Sequence, residues 1–123
     1  MNIQDLVPDL KICQEAKDKG VVIESKYYWW HRLNDSKWMI SPFNEIFNEN
    51  YSSAPLTDEI LKVLPREIII EGYTSLLLIA KNEKTYTAGY ETDEDELYFI
   101  EDKKLSNALL LLAIKLKEEG IIN

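Results

Sequence analysis

Leu6, Leu10, Cys13 and Ala16 or Lys17 recur at three- and four-residue steps, and Gly20 follows as a stop. That spacing predicts a first helix from about Ile3 or Pro8 to Lys19. Beyond the short apolar run at 21–23 the period changes from helical to alternating. KYYWWHRL (26–33) and KWMIS (37–41) are rich in strand formers, and Asn34, Asp35 and Ser36 between them are turn residues, so a hairpin is predicted. The segment SPFNEIFNENYSSAP (41–55) breaks the pattern with Asn, Ser and Pro and reads as an irregular connection holding at most one turn of helix.

Thr57, followed by Asp58 and Glu59, has the character of a helix cap with acidic residues at the positive end of the helix, which predicts a short helix over 57–64 closed by Pro65. Three runs of strand character come next: EIIIEGY, then SLLLIAKN with KTYTAGYE, then ELYFIE, with Asn82 and Glu83 as a hairpin turn. Asp102 can cap the last element, where Leu105, Leu109, Leu112 and Leu116 share one face with Ala108 and Ala113 beside them, and Gly120 stops it. The order αββαβββα predicts an α+β fold: one antiparallel sheet of about five strands with helices packed on one face. Residues 1–123 are expected to form one domain, because no linker or internal repeat interrupts them.

Composition adds limits. The chain has 123 residues, 46% of them hydrophobic, enough for one core. Its net charge is -8, from 14 Lys and Arg against 22 Asp and Glu, which opposes a phosphate backbone, so direct nucleic-acid binding is not expected. An acidic surface suits a basic partner protein instead, with DNA mimicry as one version of that idea. The lone Cys13 cannot form an internal disulfide and reads as a small buried residue. The start MNIQDLVPDL lacks the basic and apolar regions of a signal peptide, and no apolar run approaches the ~20 residues that span a bilayer. A cytoplasmic protein without membrane contact is expected.

The candidate site is the aromatic hairpin. In a strand Tyr27, Trp29 and His31 share one face while Tyr28, Trp30 and Arg32 share the other, so both faces carry rings. If helices cover one side only, the other offers aromatic surface for stacking a flat ligand or anchoring a partner chain. The residues expected to bind are Tyr27, Trp29, Trp30, His31, Arg32, Trp38 and Tyr90. The competing reading makes one set core and the other a cross-strand cluster with Trp38, Ile40 or Tyr86.

No catalytic residue is assigned. His31 is the only histidine, too few for a zinc site, and no nucleophile or paired carboxylate accompanies it at telling spacing. TDEDELY (92–98) clusters carboxylates but lacks the glycine and the spaced terminal ligand of a calcium loop, and reads as a solvated turn. Gly89 in mid-strand marks a bulge or a close backbone approach, and no glycine-rich loop cradles phosphate. Neither metal nor cofactor is expected.

Cys13, Ala16 and Gly20 in the first helix, Tyr28, Trp29 and Trp30 in the hairpin, Ser53, Ala54, Pro55, Leu64 and Pro65 around the second helix, and Ala108, Leu116 and Gly120 in the last form a layout. It resembles a group of small uncharacterised proteins encoded by bacterial phages and prophages. The departure is at Pro55-Leu56, where the group has a polar Pro-Thr. The resemblance implies no established activity and carries over no catalytic residue; what it implies is a setting, an infected or lysogenic bacterial cell. In that setting the expected function is a non-enzymatic accessory protein of counter-defence type. It would bind a host protein or sequester a small signal, a nucleotide among the candidates, and pair two copies of its aromatic face as a homodimer. The alternatives are a small enzyme using His31 beside a carboxylate such as Glu45 or Glu91, and an acidic structural accessory or DNA mimic.

Overall fold

Helical spacing and strand alternation resolve, in chain order, into α1 (Leu10–Asp18), β1 (Tyr27–Arg32), β2 (Lys37–Pro42), β3 (Tyr51–Ser53), α2 (Thr57–Val63), β4 (Glu67–Ile70), β5 (Tyr73–Lys81), β6 (Tyr86–Glu91), β7 (Glu96–Asp102) and α3 (Leu105–Glu118). Short 3-10 turns occupy Ile3–Asp5 and Phe43–Glu45. This is a computed structural model, and it describes residues 2–46, 50–70, 72–91 and 96–123.

The α+β class holds, but the single sheet of about five strands in the order αββαβββα does not. The described strands form two antiparallel sheets, β2-β1-β3 and β4-β5-β6-β7. Two features account for the difference. The Asn- and Ser-rich connection contributes β3, which pairs with the free side of β1 through Tyr28↔Ser53, Trp29↔Ser52 and Trp30↔Tyr51. With β2 on its other side, β1 has no edge left for the later strands. SLLLIAKN and KTYTAGYE are two separate strands, turned by an Asn82 side chain whose Oδ1 accepts from the Lys84 and Thr85 amides at 2.9 and 2.8 Å.

Both sheets share one core. Trp29 of the first sheet and Ile68, Ala88 and Tyr90 of the second belong to the same buried cluster as Val7, Cys13, Ile60 and the α3 leucines. α3 is covered nearly all round: Leu109, Leu112, Ala113 and Leu116 are fully buried, and the helix packs on β6, β7, α1 and α2. A helix buried on most sides needs apolar residues beyond one stripe, which the run LLLLAI supplies.

Polar groups fix how the helices meet. Asn107 of α3, 4% exposed, accepts from the Asp9 amide at 2.8 Å and donates to the Asp9 and Asp102 carboxylates at 3.0 and 3.1 Å. Lys104 donates to Gln4 O, Val7 O and Asp9 Oδ1, each at 2.8 Å, and straps the N-terminal segment to the start of α3. Asp102, expected to cap this helix, accepts from the Lys104 amide at 2.9 Å, one residue before the helix begins. Thr57 is the first helical residue of α2 and not its cap. There the Glu59 carboxylate takes the Leu56 amide at 2.7 Å and, with its other oxygen, the Lys26 amide at 2.9 Å, joining α2 to the start of β1.

In the larger sheet Ile68, Ser75, Ala88 and Tyr90 point inward, while Ile69, Leu76 and Leu78 point out. Gly89 lies at a register shift with β7, and Tyr98 opposite it adopts φ 55°. A Cβ at Gly89 would sit 2.7 Å from Phe99 Cδ1, so the glycine is where the Phe99 ring lies down on the backbone, and both parts of the Gly89 expectation are met.

Asn107→Ala is expected to lower stability by about 1–3 kcal/mol in chemical denaturation, because it removes the buried carboxamide that accepts from the Asp9 amide and donates to two carboxylates. The Lys104 hydrogen bond holds the Asp9 carboxyl below its ordinary value of 3.8. That carboxylate therefore stabilises the fold above its ordinary range, and the contribution fades as pH falls through the lowered value. The stability gap between wild type and Lys104→Met should accordingly narrow below pH 3.8. Ser75 is fully buried and its hydroxyl has no hydrogen-bond partner among the described residues. Ser75→Ala should thus be neutral or raise Tm, whereas a loss of 1 kcal/mol or more, on the order of one lost hydrogen bond, would show that the hydroxyl is satisfied.

Candidate functional site

The hairpin register sorts the aromatic residues by face. Tyr27, Trp29 and His31 stand opposite Pro42, Ile40 and Trp38, and this side turns to the core. Trp29 is 8% exposed and donates its indole N–H to Pro8 O at 3.0 Å. Tyr27 and Trp38 pack partly buried against the same core, and the His31 ring lies 5.2 Å from that of Trp38. Tyr90 belongs to the second sheet. It is fully buried, its hydroxyl donates to Pro65 O at 2.7 Å, and burial pushes its phenol up to about 12. None of these five residues lines the hollow described next.

The opposite side of β1 carries Tyr28, Trp30 and Arg32 beside Ser41, Met39 and Lys37 of β2. Trp30 is also buried, at 7%, with its indole N–H donated to Ser41 Oγ at 3.0 Å. Beside it Tyr28, Phe43 and Tyr51 make a triangle of rings with centroids 5.3, 5.6 and 5.7 Å apart. Phe43 comes from the 3-10 turn after β2 and lies over the sheet, with 56% of its surface still exposed. The far face of the hairpin thus has a small aromatic cluster of its own.

A hollow of about 590 Å³ opens beside that cluster, lined by Trp30, Arg32, Leu33, Asn34, Met39, Ser41, Asn44 and Glu45. It brings together two of the expected site residues, Trp30 and Arg32. Arg32 is held from its own turn: Nε donates to Asp35 Oδ1 at 2.9 Å and NH2 to Oδ2, a two-pronged pair spanning the hairpin. Arg32 in turn holds the Asp35 carboxyl down to about 2, so the pair persists through the neutral range. The result is an apolar floor with a rim of amides, one carboxylate and a neutralised guanidinium.

A turn confined to 34–36 would set Ile40 across from Trp30; the turn takes in Leu33 as well, Arg32 pairs with Lys37, and Met39 and Ser41 stand across from Trp30 and Tyr28 instead. Asn44 gave no signal, because it belongs to the irregular segment, and Glu45 was singled out there only as a carboxylate for His31. A smaller recess of about 150 Å³ lies between α1, residues 21–23 and β3, lined by Cys13, Ala16, Ile23, Tyr51 and Leu110 among others. Cys13 there is 1% exposed, and burial pushes its thiol up to about 12, far from a reactive thiolate.

Neither Glu45 nor Glu91 is placed beside His31. Glu45 lines the hollow on one side of β1 while His31 belongs to the other, and Glu91 lies exposed in the second sheet. Among the described residues no group of three or more His, Cys, Asp or Glu could hold a metal ion. Of the acidic run TDEDELY (92–98), expected to be a solvated turn and not a calcium loop, 92–95 lie outside the described residues and 96–98 belong to β7. No helix among the described residues is long and apolar enough to cross a membrane. No family model, curated protein or solved structure matches this chain.

Both indoles being buried, Trp29→Ala is expected to cost about 3–5 kcal/mol and Trp30→Ala somewhat less, since its cluster is smaller and borders the hollow. Phe43→Ala should cost least of the three. Urea denaturation of the three variants checks the order, and a Trp30→Ala variant as stable as wild type would contradict the second cluster.

Proposed function

We propose that this protein is a non-enzymatic binding protein and that the hollow beside Trp30 withdraws a small flat molecule from solution. The observation that carries the proposal is the hollow itself: at about 590 Å³ it has the size of a small-molecule site, with an apolar floor and a few polar groups at the rim. The resemblance to phage and prophage proteins supplies the setting, a bacterial cell in which removing a small signal would act as counter-defence.

The rim narrows the ligand. Asp35 already takes the Nε and NH2 edge of Arg32 and compensates its charge, and the chain carries a net charge of -8, so a phosphate would meet a neutralised guanidinium and approach against the overall field. A neutral heteroaromatic ring suits the site better. Its edges can reach the amides of Asn34 and Asn44 and the carboxylate of Glu45, and its face can lie near the indole.

NMR titration with a panel of nucleobases, nucleosides and nucleoside monophosphates tests this. A binding member should move the indole N–H signal of Trp30 and leave that of Trp29, which is bonded on the core side. Nucleosides should bind at least as well as their monophosphates, and Asp35→Ala, by freeing Arg32, should reverse that order. Failure of every flat molecule at millimolar concentration to move the Trp30 signal would remove the proposal.

A further inference from the structure

The outer face of the larger sheet is uncovered, and its side chains have an order. Crossing the strands, one row reads Glu67, Leu76, Glu91, the next Leu78 and Gly89, and the last Ala80, Thr87, Glu101; Ile69 lies diagonally from Leu76. The Phe99 ring lies over Gly89 and so fills the gap beside Leu78. Ile69 is 72% exposed, Leu76 53% and Leu78 38%, and together with Phe99 they make an apolar stripe across all four strands. Contiguous apolar surface of this kind is costly to leave in water unless something covers it.

Charge identifies what would cover it. Glu67 and Glu91 flank Leu76 directly on both sides, and Glu101 closes the far row. Among the described strand residues of this face no Lys or Arg appears. A second copy would set these carboxylates against their own kind, because a two-fold contact pairs a surface with itself. An anionic bilayer meets the same repulsion. A cationic segment does not.

We infer that this face docks a polypeptide segment of another protein in which apolar side chains are flanked by Lys or Arg. The apolar side chains cover Leu76, Leu78 and Phe99, and the cations meet Glu67 on one side and Glu91 and Glu101 on the other. Desolvation of the stripe supplies affinity, and the acidic flanks supply orientation and discrimination. This surface is separate from the hollow, which belongs to the other sheet.

The test uses two synthetic amphipathic helical peptides of one pattern, Leu with Lys and Leu with Glu, titrated into the labelled protein and followed by NMR. The Leu/Lys peptide should shift signals of Ile69, Leu76, Leu78 and Phe99, and the Leu/Glu peptide should not. Leu76→Glu decides between an apolar dock and mere charge attraction, since it adds an anion while breaking the stripe. A loss of tenfold or more in affinity supports the inference; unchanged or tighter binding overturns it. Ile69→Glu, at the most exposed position, gives the same reading should Leu76→Glu fail to fold. Shifts centred elsewhere, equal binding of both peptides, or concentration-dependent self-association that moves the same signals without peptide would each overturn it.

Discussion

A buried amide decides how the two ends of the chain meet. Asn107, nearly inaccessible, both accepts from and donates to Asp9, so the first residue before α1 is defined by the first turn of α3, some hundred residues later. A polar group in that position must be satisfied, and the N-terminal segment, with Asp102, satisfies it. That placement also sets Pro8, whose carbonyl accepts the Trp29 indole N–H. Trp29 anchors β1, and β1 carries β2 and β3 with it. The orientation of the whole smaller sheet, and hence which side of the hairpin faces solvent, follows from a few hydrogen bonds around residues 8, 9 and 107.

Much of the fold was legible because its elements carry strong periodicity. The helix of leucines from 105 to 116, the hairpin of 27–42 and the turn at Asn82 all follow local chemistry, and each appears within a few residues of its expected place. The division into two sheets was not legible. It depends on β3, three residues long in an Asn- and Ser-rich connection, whose pairing is a long-range choice that local propensity does not express. One short strand on the free edge of β1 is enough to isolate the hairpin from every strand that follows.

The site was legible to the level of parity and no further. Alternation correctly separates Tyr27, Trp29 and His31 from Tyr28, Trp30 and Arg32, since the pleat admits no other arrangement. Which side is covered, and by what, depends on residues without a pattern. Phe43 closes over Tyr28 and Tyr51 from a short 3-10 turn, and Asn44 and Glu45 follow it to the rim of the hollow. Tyr90, chosen for its aromatic character alone, sits in the shared core because its strand faces α3.

The Arg32–Asp35 pair has a consequence for recognition. A free arginine at the rim of a site keeps its rotamers until a ligand arrives and then loses them, at a cost of about 0.5–1.5 kcal/mol for a side chain of that kind. Here the hairpin turn restrains the guanidinium while the protein folds, well before any encounter. An occupant of the hollow would meet a rim already ordered, with less entropy left to surrender on binding. The same restraint makes the rim slow to adapt. A shape that does not fit cannot recruit the arginine without first opening the turn, so selectivity at this site would arise more from rigidity than from attraction.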